Sequence, residues 1–477
     1  MKSSAARTVD RRASICVPIL LALALLPGLS ACDNGDIHAL ASGLGGGAGV
    51  YLFSGDDGTT GYELYGTNGT PGGTGLMADI MPGPGGSTPD QYYFHRLGSL
   101  LYFSAFDGTG YKLWRSNGTP GGTYHVKDIN PSGSEVGYDP MVFGSQLFFA
   151  GNDGVAGYEL WRSDGTASGT VMVKDINPGA ANSSPYNGRA IAGTLYFTAV
   201  GTGTSDRELW RTDGTAGGTQ LVADINPGTS GSSPQYLVDF GGLLYFMAND
   251  GATGFELWRS DGTPGGTYQV ADINPGSASS SPSYLVATPG GILFQANDGI
   301  SGVELWRSDG TLAGTNLVLD INPGSASSGP YALTPINGRV CFRANDGISG
   351  YELWCSDGTP GGTYQVADIN PGAGFSSPDQ MFVLNGWLYF FASDGSTTGL
   401  WRTDGTPGSA SLVKAIGSSL TYGPFWAQTV GNRAFFSTDD GVHGNEPWVT
   451  DGTPAGTHMI VDLWPGPDPN NGHVYEY

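Results

Sequence analysis

Glu304-Leu305-Trp306-Arg307-Ser308-Asp309-Gly310-Thr311 is the stretch whose reading decides the fold, because variants of it occur nine times along the chain. Its aromatic position is filled by Tyr65, Trp114, Trp161, Trp210, Trp258, Trp306, Trp354, Trp401 and Trp448, 47 to 49 residues apart. A period held that strictly marks a tandem-repeat architecture, in which one unit cannot bury both its faces and stacked neighbours do. Each unit reads as four short strands. In the fifth they are Gln235–Phe240, Leu243–Ala248, Phe255–Ser260 and Tyr268–Ile273. Alternation and β-branched or aromatic content set them, and Gly/Asn/Asp clusters separate them. No helical period occurs after the leader. Four strands per unit, repeated radially, predict an all-β fold, a single β-propeller of nine four-stranded blades over residues 50–477. Eight blades plus a spare unit is the alternative.

The two ends favour nine. The first unit starts at its second strand, Val50–Ser54, after a Gly-rich lead. The last continues past its fourth strand into His473-Val474-Tyr475-Glu476-Tyr477. Aligned on Pro465-Gly466, this tail falls where other units begin their first strand, so it is expected to complete the first blade and close the ring.

Comparing the units shows what the repeat needs. From the aromatic position to that of Asp272 is 14 residues in all nine, so the third-to-fourth hairpin never changes length. The Asp of Asp-Gly-Thr is replaced by Asn68 and Asn117 in the first two units. Asn shares the turn chemistry of Asp but not its charge, so this triplet reads as a turn device.

Glu and Arg of the motif lie three apart and so point to opposite faces of a strand. Paired with the next unit, Arg115–Glu159, Arg162–Glu208, Arg211–Glu256, Arg259–Glu304, Arg307–Glu352 and Arg402–Glu446 all have both partners. Gly66–Lys112 and Cys355–Gly399 lack both, and only the ring-closing Val449–Glu63 is mixed. Partners lost together predict inter-blade ion pairs, because a buried charge left alone is costly. Arg259→Ala and Glu304→Ala are then expected to be strongly non-additive. Cys341 and Cys355 both replace repeat residues of one unit and face each other if the hairpin folds about Ile348. A disulfide is expected, in keeping with export to an oxidising compartment.

The eight-residue core, with Asp-Ile-Asn-Pro-Gly downstream, resembles the ELWxxDGT repeat proteins, which are exported bacterial proteins named for this motif. The resemblance covers essentially residues 50–464. It implies export and the repeat, and no activity. The Ser260-Asp261-Gly262-Thr263 turn is also similar to the Asp-box hairpins of sialidase propellers, a likeness of fold alone.

Residues 1–31 read as a lipoprotein signal peptide. Lys2, Arg7, Arg11 and Arg12 make a positive start, Ile15–Leu29 an apolar stretch short of a membrane span, and Leu29-Ser30-Ala31-Cys32 a lipobox. Cys32 is the expected lipidation site, residues 32–49 a Gly-rich linker, and the acyl chains the anchor to the bacterial cell envelope, inner or outer membrane or surface. The formal charge is −23, and the leader holds four basic residues and one acid, so the mature chain is more acidic still. Such a surface excludes nucleic acid as a partner and suits cationic partners or Ca²⁺.

Length changes between units fall in the inter-blade loops, such as Asn274–Pro282, and in the second-to-third strand loops, such as Asn297–Gly302. In a propeller of this strand order both lie on one face, the expected binding face. The second-to-third loops carry a recurring Asp, at Asp57, Asp107, Asp153, Asp250, Asp298, Asp346, Asp394 and Asp440. These could offer oxygen ligands to Ca²⁺, although Asn-Asp-Gly is also an ordinary turn. No catalytic motif is present. Side chains outside the repeat pattern, such as His95, Tyr138, Arg207 and His443, are the candidates for an asymmetric site. The expected function is that of a monomeric, membrane-anchored scaffold binding protein or glycan. The alternatives are a polysaccharide hydrolase or lyase with a site at the ring axis, and a structural or adhesive surface protein.

Overall fold

The computed structural model describes residues 50–137, 139–202, 206–417 and 425–465. The leader, Cys32, the linker, Tyr138 and the tail from residue 466 lie outside the described residues. The chain forms nine antiparallel sheets. They are the blades of one β-propeller, with a single-turn helix at three of the Pro-Gly-Gly turns. Eight blades have four strands in chain order, and the first has three among the described residues, beginning at Tyr51–Gly55. No helix among the described residues is long and apolar enough to cross a membrane.

In blade five the strands are Gln235–Phe240, Leu243–Asn249, Phe255–Ser260 and Tyr268–Ala271. The fourth is shorter than its hydrophobic pattern suggests. The ladder ends at Leu257 opposite Ala271, and beyond it the chain leaves the sheet. First strands of successive blades touch one another, so they line the ring axis. In blades two and four to nine the strand is bulged near its start, between Gln235 and Val238 in blade five. The bulge places a non-glycine residue in left-handed backbone, at Asn187, Tyr236, Tyr284, Ala332 and Gln380, with φ from 49° to 57°.

The core lies between blades. One cluster joins Val238, Tyr245 and Leu257 of blade five to Leu285, Phe294 and Trp306 of blade six. Another joins Val430, Phe435 and Val449 of blade nine to Tyr51 of blade one. The Tyr51 and Phe435 rings stack with centroids 5.1 Å apart, so the ring closes by the packing that joins every other pair. Cys341 and Cys355 are register partners on adjacent strands of blade seven and are disulfide-bonded. Both are fully buried, against Gly405 of blade eight.

Candidate functional site

The recurring Glu is the second residue of the third strand in blades three to seven, and the antiparallel ladder places it where the fourth strand peels away. Glu304 is fully buried. It accepts from the backbone N–H of Ile321 (3.0 Å) and Ser328 (2.8 Å) and from the Ser328 hydroxyl (2.5 Å). Glu63 with Ser87, Glu159 with Ser183, Glu208 with Ser232, Glu256 with Ser280 and Glu352 with Ser376 repeat the arrangement. The carboxylate replaces the hydrogen bonds that the departing strand gives up and ties down the inter-blade loop. Burial pushes Glu304 up to about 7, and the other five in the same direction.

The expected inter-blade ion pairs do not form. Among the described residues no motif Arg lies in salt-bridge contact with a motif Glu. Arg162, Arg259, Arg307 and Arg402 do reach the next blade. Each donates to the carbonyl of the Gly in its Asp-Gly-Thr turn, Gly214 (2.9 Å), Gly310 (3.4 Å), Gly358 (3.2 Å) and Gly452 (3.4 Å). Arg115 stacks over Tyr124 at 4.5 Å, and Arg211 donates to Gln220 of its own blade at 3.4 Å. Where a motif Arg reaches the next blade, it does so at a different height along the strand from the Glu. Three residues at ~3.3 Å each separate Arg from Glu, so Arg faces the turn end of the next blade while Glu sits at the loop end.

The units that lack the pair have their own solutions. In blade two, Lys112 stands at the Glu position and Glu135 at the Ser position. Glu135 takes up the Ile129 N–H at 2.7 Å and lies 3.8 Å from the Lys112 Nζ, which also bonds the Asn130 carbonyl. The His125 Nε2 is 2.7 Å from Glu135. In blade eight, Gly399 lets the fourth strand, Ser411–Gly417, stay in the ladder, and a Cβ there would collide with the Lys414 carbonyl. In blade seven, where Cys355 replaces Arg, the Tyr364 hydroxyl donates to the Gly405 carbonyl at 2.7 Å. At ring closure, where Val449 replaces Arg, Arg433 donates to the Asn68 carbonyl of blade one at 3.0 Å. Six joints of the turn face are thus bridged by structural contacts. The Asp-Gly-Thr carboxylates belong to that face: Asp309 accepts from the Thr311 hydroxyl (2.7 Å) and N–H (2.9 Å), which hold its pKa low.

The loop face is built differently. The eight Asp residues considered for calcium each serve their own loop. Asp298 Oδ1 accepts from the N–H groups of Ile300 (2.8 Å) and Ser301 (2.7 Å), and Asp57, Asp107, Asp153, Asp250, Asp346, Asp394 and Asp440 do likewise. The acidic side chains close enough to share a cation among the described residues are Asp206, Glu208 and Asp224, which include none of the eight. Glu208 is there already engaged by Ser232. Asn side chains bridge the inter-blade loops internally, as Asn274 does to the Ser279 carbonyl at 3.2 Å.

On these braced loops the residue after Asn-Asp-Gly or Asp-Asp-Gly stands out in water. Val155, Ile300, Ile348 and Val442 are 72–78% exposed, and Phe375 of an inter-blade loop is 55% exposed. Aromatic contacts run from this crown toward the axis. Phe375 meets Tyr351 at 5.6 Å, Arg343 lies over the rings of Tyr351 (5.4 Å) and Tyr331 (4.6 Å), Tyr331 meets Tyr284 at 5.0 Å, and Tyr284 meets Tyr236 at 5.8 Å. Asp379 lies 3.9 Å from Arg343. The candidates outside the repeat pattern do not converge. Arg207 stacks on Tyr186 in blade four at 4.4 Å, His443 bonds Asp440 in blade nine at 2.8 Å, and His95 is in blade two. Sequence reasoning missed the aliphatic crown and the Glu–Ser bond. The constant interval of 24 residues from each such Glu to its Ser was the available signal.

No protein-family model matches the chain, and no curated protein sequence matches it significantly. Solved structures do. A puromycin hydrolase mutant is 14% identical over 74% of this chain and 58% of its own, with a TM-score of 0.41. A structure from a study of two prolyl endopeptidases is 14% identical over 70% and 48%, with a TM-score of 0.39. BamB from Moraxella catarrhalis is 14% identical over 62% and 78%, with a TM-score of 0.34. The chain spans about half the length of the two peptidases. At these TM-scores the likeness carries no argument.

Proposed function

We propose that this protein is an exported lipoprotein of the ELWxxDGT repeat type, anchored through Cys32 to the cell envelope. Its propeller binds a macromolecular partner, protein or glycan, on the loop face. The observation that carries the reading is the crown of Val155, Ile300, Ile348, Val442 and Phe375. Large apolar side chains held out in water on braced loops cost solubility, and Ile300, Ile348 and Phe375 stand so on consecutive repeats, as the apolar side chains of interaction surfaces do. The turn face also exposes Leu312, but much of it goes to contacts that hold blade to blade. The net charge of −23 disfavours nucleic acid and anionic surfaces as partners. The cluster of Lys112, His125 and Glu135 is accounted for by the packing of blade two. His125 is on that blade's fourth, outermost strand, so the cluster carries no catalytic role at the axis.

The test is a binding screen of the mature chain against glycan arrays and envelope-protein extracts, followed by variants. Ile300→Ser with Ile348→Ser, and separately Arg343→Ala, are expected to weaken any ligand found by about tenfold or more. Arg211→Ala, on the turn face, should leave binding unchanged. A ligand insensitive to the loop-face variants would sink the reading.

A further inference from the structure

Arg343 stands on the second strand of blade seven, opposite Leu353. The same place on the other eight second strands, from Ser54 to Ser437, holds no charge, and blades five, six and eight have Met247, Gln295 and Phe391 there. The repeat therefore does not need a cation at this point. The Arg343 guanidinium lies over the rings of Tyr331 at 4.6 Å and Tyr351 at 5.4 Å, and its Nε is buried with no hydrogen-bond partner. Arg207 of blade four also stacks on a tyrosine, but it spends its donors on the Ser184 and Thr198 carbonyls, at 2.8 and 3.3 Å. Arg343 is held by ring faces instead, with 25% of its side chain exposed.

The acceptor that faces it is Asp379, which opens the first strand of blade eight. The Asp379 Oδ1 is fixed by the Gln380 N–H at 2.8 Å, and its Oδ2 lies 3.9 Å from the Arg343 Nη1. That distance is too long for a hydrogen bond. Tyr331 opens the first strand of blade seven and Tyr284 is the second residue of that of blade six, with their rings 5.0 Å apart. First strands begin where the inter-blade loops end, so these groups stand together at the loop-face end of the axis. Blades seven and eight place Ala332 and Gln380 at the bulge position of Tyr284, so the repeat does not require a ring there.

We propose that Tyr284, Tyr331, Arg343 and Asp379 form a subsite for one ring of a neutral glycan. Arg only donates and a carboxylate only accepts. An anion would answer Arg343 and be repelled by Asp379, and a cation would do the reverse. A hydroxyl does both. Two adjacent hydroxyls on a rigid sugar ring accept from Nη1 and donate to Oδ2 at once, which the two side chains cannot do for each other across 3.9 Å. The C–H face of the same sugar packs on a tyrosine ring. A Ser-bearing peptide offers its hydroxyls singly and without that flat apolar face. The net charge of −23 selects further against acidic sugars. The subsite rests on the reading of the loop face as the binding face and narrows the partner, at the axial end, to neutral carbohydrate.

The test is titration calorimetry of the mature chain, residues 32–477, with hexaoses of glucose, of mannose and of N-acetylglucosamine, and with hexagalacturonate as the acidic counterpart. At least one neutral hexaose should bind, and hexagalacturonate should bind more weakly. Arg343→Gln, Asp379→Asn and Tyr331→Ala should each weaken the neutral sugar by about tenfold or more, and Tyr331→Phe should keep it. Should Tyr331→Ala fail to fold, Asp379→Asn decides, since that side chain is 42% exposed. Binding of none of the neutral hexaoses would overturn the proposal. So would a preference for the uronate, or neutral-sugar binding that survives both Arg343→Gln and Asp379→Asn. A protein partner lost on Ile300→Ser with Ile348→Ser, for a chain that binds no hexaose, would overturn the subsite and leave the loop-face reading standing.

Discussion

Glu304 is a buried carboxylate with three donors and no cation. Burial outweighs those donors and pushes it up to about 7. A carboxyl whose folded pKa lies above its unfolded value contributes stability that is fully present below pH ~4.5 and lost as pH rises through about 7. The denaturation midpoint of the wild type is therefore expected to fall between pH 5 and 8, by the equivalent of about 1–3 kcal/mol for such a group. Glu304→Gln should flatten its share, which urea titrations at pH 5, 6.5 and 8 would reveal. A midpoint that rises over this range would contradict the assignment. Glu304→Ala, which leaves the Ile321 and Ser328 donors unanswered, should cost about 3 kcal/mol at pH 7. In blade two the same logic runs with exchanged residues. Lys112→Met strands Glu135 without its cation and is expected to cost about 3 kcal/mol. Lys112→Glu combined with Glu135→Ser restores the pattern of blades three to seven and should be milder than Lys112→Glu alone in thermal melts.

At five of the joints the third-to-fourth hairpin is held to its neighbour by a side chain donating to a glycine carbonyl. Since Arg259 meets Gly310 and Glu304 meets Ser328, the two side chains share no partner. Arg259→Ala and Glu304→Ala are expected to add within about 0.5 kcal/mol in a double-mutant cycle, the outcome opposite to that of an ion pair. The glycine is the stricter part of the joint. Gly310 has φ +88°, and a Cβ on it would collide with the Tyr245 hydroxyl. Gly310→Ala should cost about 2 kcal/mol or more, beyond the loss from Arg259→Ala. Tyr245→Phe in the Gly310→Ala background should recover part of it, because the hydroxyl is the atom in the way. No recovery would place the cost in the backbone alone.

For the whole ring, closure is one more blade-to-blade joint with substituted parts. Arg433 and the stacked Tyr51 and Phe435 join blade nine to blade one, as Arg307 joins blade six to blade seven. A ring differs from an open stack in that one weak joint exposes two faces at once. Arg433→Ala is expected to lower the thermal midpoint and to raise amide exchange in Glu63–Thr67 and Arg433–Asp439 together. Arg307→Ala should do neither at those strands. Exchange confined to one side of the joint would indicate local fraying instead of opening.

The repeat period, the strand pattern and the fixed hairpin length were enough for the propeller and its nine units, because each depends on spacing along the chain, which a sequence displays directly. The turn role of Asp-Gly-Thr was legible for the same reason. Partner choice was not legible. Whether Arg259 meets Glu304 or Gly310 depends on the height at which two blades stack, which only packing sets. The joint gain and loss of Arg and Glu looked like pairing, but blades two, seven, eight and nine satisfy the two positions by separate means. The crown of Val155, Ile300, Ile348 and Val442 was hidden too, since an aliphatic residue after a turn reads as core until the structure shows that nothing covers it. What the sequence determined by itself was the repeating unit and its count. What the tertiary structure decided was which buried groups satisfy one another and which face is left to a partner, because both depend on distances between residues 24 to about 50 positions apart.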